Sequence, residues 1–192
     1  MKYNRLGKTN LMVSEVGFGT AQIGGPSLIK GKPFGSKPIS DKEAYEILSL
    51  AKEAGINFFD SSDMYGDGLA EKRLGVFFSG SHDVVIATKC GFDKNGNRRF
   101  DRPYVMKTIE GSLRRLKRER IDLFQFAKAT LSHIEQDDLI ETVSYLKEKG
   151  KIAYAGISVG NIEDGIGFVK HGVWDSLQII YNLITLDFKG LI

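Results

Sequence analysis

Asp83-Val84-Val85-Ile86-Ala87-Thr88-Lys89 is the stretch on which the fold turns. Its β-favouring residues run almost without interruption, and they lack the polar alternation of a strand with one wet face. That pattern belongs to strands buried on both faces of a parallel sheet. The run ends on a lysine with Ile86 and Ala87 behind it. An ammonium in such surroundings is costly unless a carboxylate answers it. An acid is therefore expected at the end of a neighbouring strand.

Working outward, Ile56 to Asp60 reads as a short strand that ends on that acid. Before it, Lys42 to Ala54 carries apolar residues at helical spacing (Ala44, Ile47, Leu48, Ala51). Ser40 and Glu43 form a capping-box pattern at its start, and Gly55 provides a stop. Between the two strands lies a second helix, from about Leu69 to Phe78. Downstream, Asp101 and Pro103 cap and open a third helix that extends to about Arg118. Then come a strand over Ile121–Phe126, a helix over Asp137–Lys149 and a strand over Ile152–Val159. A weaker helix (Glu163–Lys170) and a sixth strand (Ser176–Tyr181) follow. Strand-helix alternation of this regularity means parallel strands joined by right-handed crossovers. Two segments depart from it. Residues 3 to 18 suggest a small hairpin leading into the first barrel strand, and residues 22 to 40 a Gly/Pro/Lys-rich loop without periodicity. No linker or internal repeat divides residues 1–192, so one domain is expected.

A doubly wound nucleotide-binding sheet and a TIM barrel both begin in this way. The dinucleotide fingerprint is absent: Gly17-Phe18-Gly19-Thr20-Ala21-Gln22 has Gln22 where its third glycine should stand. Gly66 to Glu71 fails at the same position, and Gly7-Lys8-Thr9 lacks the upstream glycine of a phosphate-binding loop. Polar residues instead mark the ends of successive strands: Thr20, Asp60, Lys89, Ser158 and Gln178. In a barrel these converge on one mouth. The barrel is the expected fold, an α/β architecture of the parallel (β/α)8 TIM-barrel type, incomplete at about six βα units and preceded by the hairpin.

The 192 residues are 42% hydrophobic and 27% charged, ordinary for a soluble globular chain. A net charge of +3 suits an anionic small molecule. The basic run Arg114 to Arg120 is expected to complement a helix dipole and face solvent. No basic stripe interleaved with aromatics points to nucleic acid. No apolar run approaches the ~20 residues of a membrane span, the N-terminus lacks a secretory core, and Cys90 is alone. A cytoplasmic protein is expected, with no metal site.

Asp60, Tyr65 and Lys89 form the chemical constellation. Lys89 pairs with Asp60, and its ammonium is expected to lower the Tyr65 pKa, making the phenol a general acid toward a carbonyl oxygen. Carrying these residues at this spacing, the sequence resembles the aldo-keto reductase family. The resemblance rests on Gly17-Phe18-Gly19-Thr20, on Phe59-Asp60-Ser61-Ser62-Asp63-Met64-Tyr65-Gly66 with Glu71 and Leu74-Gly75, and on Ile86 to Lys89. It continues through Ser112 to Leu116, Ile121 to Gln125, Gly150 to Ser158, Ser176-Leu177-Gln178 and Tyr181-Asn182. It implies reduction of aldehydes or ketones to alcohols with NADPH, NADH being the other option. Tyr65 would protonate the developing alkoxide, with Lys89 and Asp60 tuning it. Ser158 and Gln178 would hold the nicotinamide carboxamide, with Gly19, Thr20 and Asp60 as further cofactor contacts.

Three features break the pattern. Ala127 stands where the family places a histidine that hydrogen-bonds the substrate carbonyl, and His133, past the strand end, is expected to be a surface residue. Val159 stands where many relatives carry asparagine. Strands seven and eight are also expected to be missing, since the chain ends at Asp187 to Ile192, near the start of the next helix. The cofactor phosphate anchor would go with them, and the open barrel edges would favour self-association. The expectation is therefore an oxidoreductase whose activity is weak or lost; the alternative is a non-catalytic cofactor-binding or interaction subunit.

Overall fold

A computed structural model describes residues 1–29, 31–136 and 138–184. The chain opens with β1 (Tyr3–Arg5) and β2 (Met12–Ser14), an antiparallel hairpin. It enters the barrel at β3 (Phe18–Gly19). Then come α1 (Ala21–Gly24), β4 (Pro26–Ile29) and β5 (Lys32–Gly35). The alternating part follows as α2 (Asp41–Glu53), β6 (Phe58–Asp60), α3 (Leu69–Phe77), β7 (Val85–Cys90) and α4 (Arg102–Leu116). It continues through β8 (Ile121–Ala127), α5 (Leu131–Gln136), α6 (Leu139–Glu148), β9 (Ile152–Ser158), α7 (Ile162–His171) and β10 (Ser176–Gln178).

Among the described residues, β3, β6, β7, β8, β9 and β10 lie side by side in sequence order, each pair parallel. The sheet curls into a half-barrel, as expected for an incomplete (β/α)8 fold. The decisive strand, β7, is buried over its last five residues. Phe59, Ile86, Phe124 and Ile157, one from each of four neighbouring strands, are at most 1% exposed. Each such side chain contributes roughly 1.5–3 kcal/mol of burial. The helix signals also hold: Ser40 and Glu43 form a reciprocal capping box on α2, and the Asp101 carboxylate accepts from Tyr104 N at the start of α4.

The segment over residues 22–40 differs from the aperiodic loop expected of it. It folds as α1 and then an antiparallel β4–β5 hairpin, with Gly31 at φ +71° in the turn. Its strands carry no alternation because tertiary contacts hold them. The Ser27 hydroxyl donates to Met64 O (2.8 Å) and accepts from Gly66 N (3.1 Å), which fastens the hairpin over the loop after β6. Gly24 allows the approach, since a Cβ there would come within 2.8 Å of the Tyr65 backbone.

The helix expected over Asp137–Lys149 is α6 alone, preceded by a separate α5; Asp138, at φ +47°, stands outside helical geometry before α6. The sixth strand is shorter than expected, ending at Gln178, and Ile180 and Tyr181 are exposed. The expected helix start near Asp187–Ile192 lies outside the described residues. No described helix is long and apolar enough to cross a membrane.

The basic run also departs from expectation. Arg115 Nε donates to Glu71 Oε2 (2.6 Å), and Arg118 Nη1 donates to Asp122 (2.7 Å). Glu71 is fully buried, and its other oxygen accepts from Thr88 Oγ1 at 2.6 Å. These bonds tie α3, α4 and β7 together, so the run staples the barrel wall instead of facing solvent throughout. Cutting one partner of such a pair strands the other. Glu71→Ala should cost about 3 kcal/mol, read as a drop in the urea midpoint. Glu71→Leu combined with Arg115→Met should recover most of that loss. A midpoint unchanged in Glu71→Ala would refute this account of the wall.

Candidate active site

The strand ends meet in a cavity of about 530 Å³. Asp60 from β6, Lys89 from β7, Ala127 from β8, Ser158 from β9 and Gln178 from β10 all line it. Tyr65 reaches it from the loop after β6, and Ile29 from the β4–β5 hairpin. Register explains the convergence. Asp60 is level with Ala87, Lys89 with Gln125, and Ser158 with both Ala127 and Gln178.

Asp60 is the hub. Its Oδ1 accepts from Lys89 Nζ at 2.5 Å and from Gln125 Nε2 at 3.2 Å; its Oδ2 accepts from Gln178 Nε2 at 3.0 Å. The Lys89 side chain is 8% exposed and that of Asp60 19%. Burial pulls the Lys89 ammonium below its ordinary pKa, and the Asp60 carboxylate opposes that fall. Lys89 Nζ also stands 5.7 Å from the centre of the Tyr65 ring. The sequence places an acid and a lysine at neighbouring strand ends, and the structure joins them.

Tyr65 titrates in the other direction from the lowering expected. Burial, and then the Asp60 carboxylate, push its phenol up to about 12. The Lys89 charge is committed to Asp60 and lies over the ring face, so it does not offset those two effects. The hydroxyl is thus held in its protonated form near neutral pH.

Gly19 and Thr20 stand apart from the cavity lining. Thr20 is fully buried, and its amide and hydroxyl both donate to Asp60 O, at 2.9 and 3.1 Å. It fixes the Asp60 backbone. Gly19 is exposed, with open space where a Cβ would stand. Val159 is buried and gives its amide to Gln178 O (3.0 Å). His133 lies on α5, half-buried, where its Nδ1 meets the Thr130 amide (3.1 Å) and hydroxyl (2.6 Å) and its ring packs edge-on to Phe100. It is neither the surface residue expected nor part of the cavity wall.

Sequence reasoning missed two groups. Gln125 sits in an apolar run between Phe124 and Phe126, 2% exposed, and a buried amide in such a run is itself a signal for a polar partner. Lys128 lines the cavity beside Ala127 with its backbone at φ +57°. No local sequence cue marks that conformation.

Behind the Tyr65 loop, burial and the nearby Glu71 charge push the Asp63 carboxyl up to about 7. The folded state therefore holds a proton that the unfolded chain has released, over the window from about pH 4 to about pH 7. Stability should fall as pH rises through that window. Asp63→Asn should flatten this slope and raise stability at pH 8 by on the order of 1–2 kcal/mol. Urea midpoints from pH 5 to 8 measure it; an unchanged slope would show that Asp63 is ionised throughout.

Comparison with known proteins agrees with this geometry. A model of the aldo/keto reductase family matches residues 15–190. L-galactose dehydrogenase of Arabidopsis thaliana is 35% identical over 159 residues, 80% of this chain and 47% of its own. Aldo-keto reductase YhdN of Bacillus subtilis is 30% identical over 196 residues, 98% of this chain and 56% of its own. The chain thus spans about half the length of the curated relatives it matches. Among solved structures, aldo-keto reductase AKR11C1 from Bacillus halodurans, in a holo form, superposes with a TM-score of 0.80 at 29% identity. That match covers 94% of this chain and 58% of the other. PA4992 of Pseudomonas aeruginosa, a putative aldo-keto reductase by its description, gives 0.85 at 30% identity over 98% of this chain and 71% of its own.

Proposed function

Because the chain belongs to the aldo/keto reductase family, we propose that its mouth cavity holds a reduced nicotinamide dinucleotide beside a small aldehyde or ketone. The reaction is reduction of the carbonyl to an alcohol. The observation that carries this reading is the Lys89–Asp60 pair beneath Tyr65, in the same cavity as the Ser158–Gln178 pair.

The residues fit the cofactor's amide end. Ser158 and Gln178 are neighbours across β9 and β10. Among the described residues, the Ser158 hydroxyl and the Gln178 amide oxygen have no hydrogen-bond partner, while one N–H of the Gln178 NH₂ is donated to Asp60. One free donor and one free acceptor side by side complement a carboxamide. When bound, the cofactor supplies the hydride. NADPH is the form we assign, with NADH as its competitor in the same titration.

Tyr65 holds the proton that the carbonyl oxygen needs as negative charge gathers there. As the phenol loses it, Lys89, already paired with Asp60, offers the phenolate only partial support, and Asp60 keeps Lys89 protonated against its burial. Gln125 and Gln178 fix the Asp60 carboxylate, and Thr20 fixes its backbone. The mainly apolar wall that includes Ile29, Met64 and Phe92 keeps water from weakening these charges.

Ala127 weakens the step without changing its chemistry, since its methyl group has no donor for the carbonyl oxygen. Ala127→His should raise carbonyl reduction at saturating cofactor by about 10²–10³. The gain should fall mainly in kcat, because the added bond strengthens as charge develops. Ala127 lines the mouth cavity, so a side chain added there enters that space. Tyr65→Phe in the same background should abolish the gain. If NADPH fluorescence shows binding and Ala127→His changes nothing, the missing histidine is not what limits the rate.

Self-association and a cytoplasmic location belong to the same reading. Among the described residues β10 pairs only with β9, and Leu183 and Ile184 are 99% and 95% exposed. An open edge with apolar residues beside it favours pairing between chains. Light scattering should show mass above 21.3 kDa that rises with concentration; a monomer at all concentrations would refute this part.

A further inference from the structure

A second cavity, of about 590 Å³, opens between the β7–α4 loop and the outer face of α4. It shares no lining residue with the mouth cavity. The loop contributes Lys94 and Arg99, and α4 contributes Lys107, Arg114 and Arg115. Two of these cations are satisfied within the protein: Arg99 by Asp101 and Arg115 by Glu71, both at 2.6 Å. Lys94, Lys107 and Arg114 have no ion-pair or hydrogen-bond partner among the described residues.

Two acids share the wall, and neither pairs with any of those three side chains. Asp93 is used by its own loop, its Oδ1 accepting from Asn95 N and Asn97 N at 2.9 Å each. Asp63 accepts from the Ser62 hydroxyl and faces Glu71 and Arg115 from the helices, with Tyr104 and Cys90 as its other titratable neighbours. Burial and Glu71 raise its pKa to about 7, so near pH 7 it carries only about half of a full negative charge.

The wall is also preorganised. Beside the Asp93 turn, the Tyr104 hydroxyl donates to Phe92 O (2.7 Å), Arg99 N to Gly91 O (3.1 Å), and Phe92 bridges to Arg98. On α4, Lys107, Gly111 and Arg114 are spaced to share one helix face. Gly111 leaves the floor open, since a Cβ there would come within 2.9 Å of Arg115 Nη1. A cavity within the size range of small-molecule sites, with three unanswered cations on a braced wall, has the design of an anion receptor. We propose that this cavity binds a small polyanion carrying phosphate or carboxylate groups, at a site separate from the reductase mouth.

Calorimetric titration of the whole chain with pyrophosphate, and in parallel with citrate, tests this and distinguishes the two sources. At least one should bind saturably at one site per chain. Lys107→Gln with Arg114→Gln should weaken that binding at least tenfold, about 1.4 kcal/mol, while leaving NADPH titration unchanged. Lys8→Gln with Lys72→Gln removes the same two charges elsewhere and should cost little. Asp63→Asn should tighten binding severalfold at pH 8, where the native carboxyl is ionised. The proposal is overturned if neither probe saturates below about 10 mM, or if the control pair weakens binding as much as the cavity pair. Loss of NADPH binding alone would count against the proposed function and leave the anion site standing.

Discussion

The contact between Lys89 and Asp60 is the constraint on which the rest of the site depends. A lysine at the end of a buried strand is tolerable only if an acid meets it. The two residues lie on adjacent parallel strands, so the sheet itself brings them together. Everything around the pair answers its cost. Gln125 and Gln178 occupy further lone pairs of the carboxylate, and Thr20, at the end of β3, holds its backbone. Asp60 thus collects bonds from β7, β8 and β10 and from Thr20 just after β3. It is a structural joint of the half-barrel as much as a site residue.

This joint shapes the behaviour of Tyr65. A free ammonium beside a phenol would lower its pKa, but an ammonium bound to a carboxylate presents a nearly neutral pair, and burial then dominates. The Tyr65 phenol is raised as a result. If the phenol is the proton donor proposed above, it would be a reluctant one, gaining from any second group that stabilises charge on the substrate oxygen. Under the proposed reaction, Ala127 would leave that second group missing, and its methyl would matter more here than beside an already acidic phenol.

Much of this was legible in the sequence because the signals were local. The apolar run of β7, the Ser40–Glu43 capping box and the Asp101 cap each act within a few residues, and the parallel sheet followed from their alternation. The ends of those strands then named Asp60, Lys89, Ser158 and Gln178. What stayed hidden was set by tertiary contact. The β4–β5 hairpin exists because Ser27 is bonded to the Tyr65 loop, and no periodicity records that. The direction of the Tyr65 shift depended on where the Lys89 charge was spent. The basic run looked solvated because its acids, Glu71 and Asp122, lie on other elements.

The loop between β7 and α4 joins the two cavities. Phe92 and Gly96 face the mouth, while Asp93, Lys94, Asn95 and Arg99 face the basic cavity. Consecutive residues on one braced turn therefore line two walls, and the turn cannot shift toward one side without withdrawing from the other. Its hydrogen bonds, from Asn95 N and Asn97 N to Asp93 and from Arg99 N to Gly91 O, hold the turn in one arrangement. Any free energy by which an occupant of one cavity biases the loop must be returned equally by an occupant of the other, because coupling between binding sites is reciprocal. The hairpin that carries Ile29 bounds the mouth from the opposite side and is held through Ser27 to the Tyr65 loop. The geometry of the mouth is thus fixed by two loop systems, each fastened by hydrogen bonds to a residue next to the Asp60–Lys89 pair or close to it in sequence.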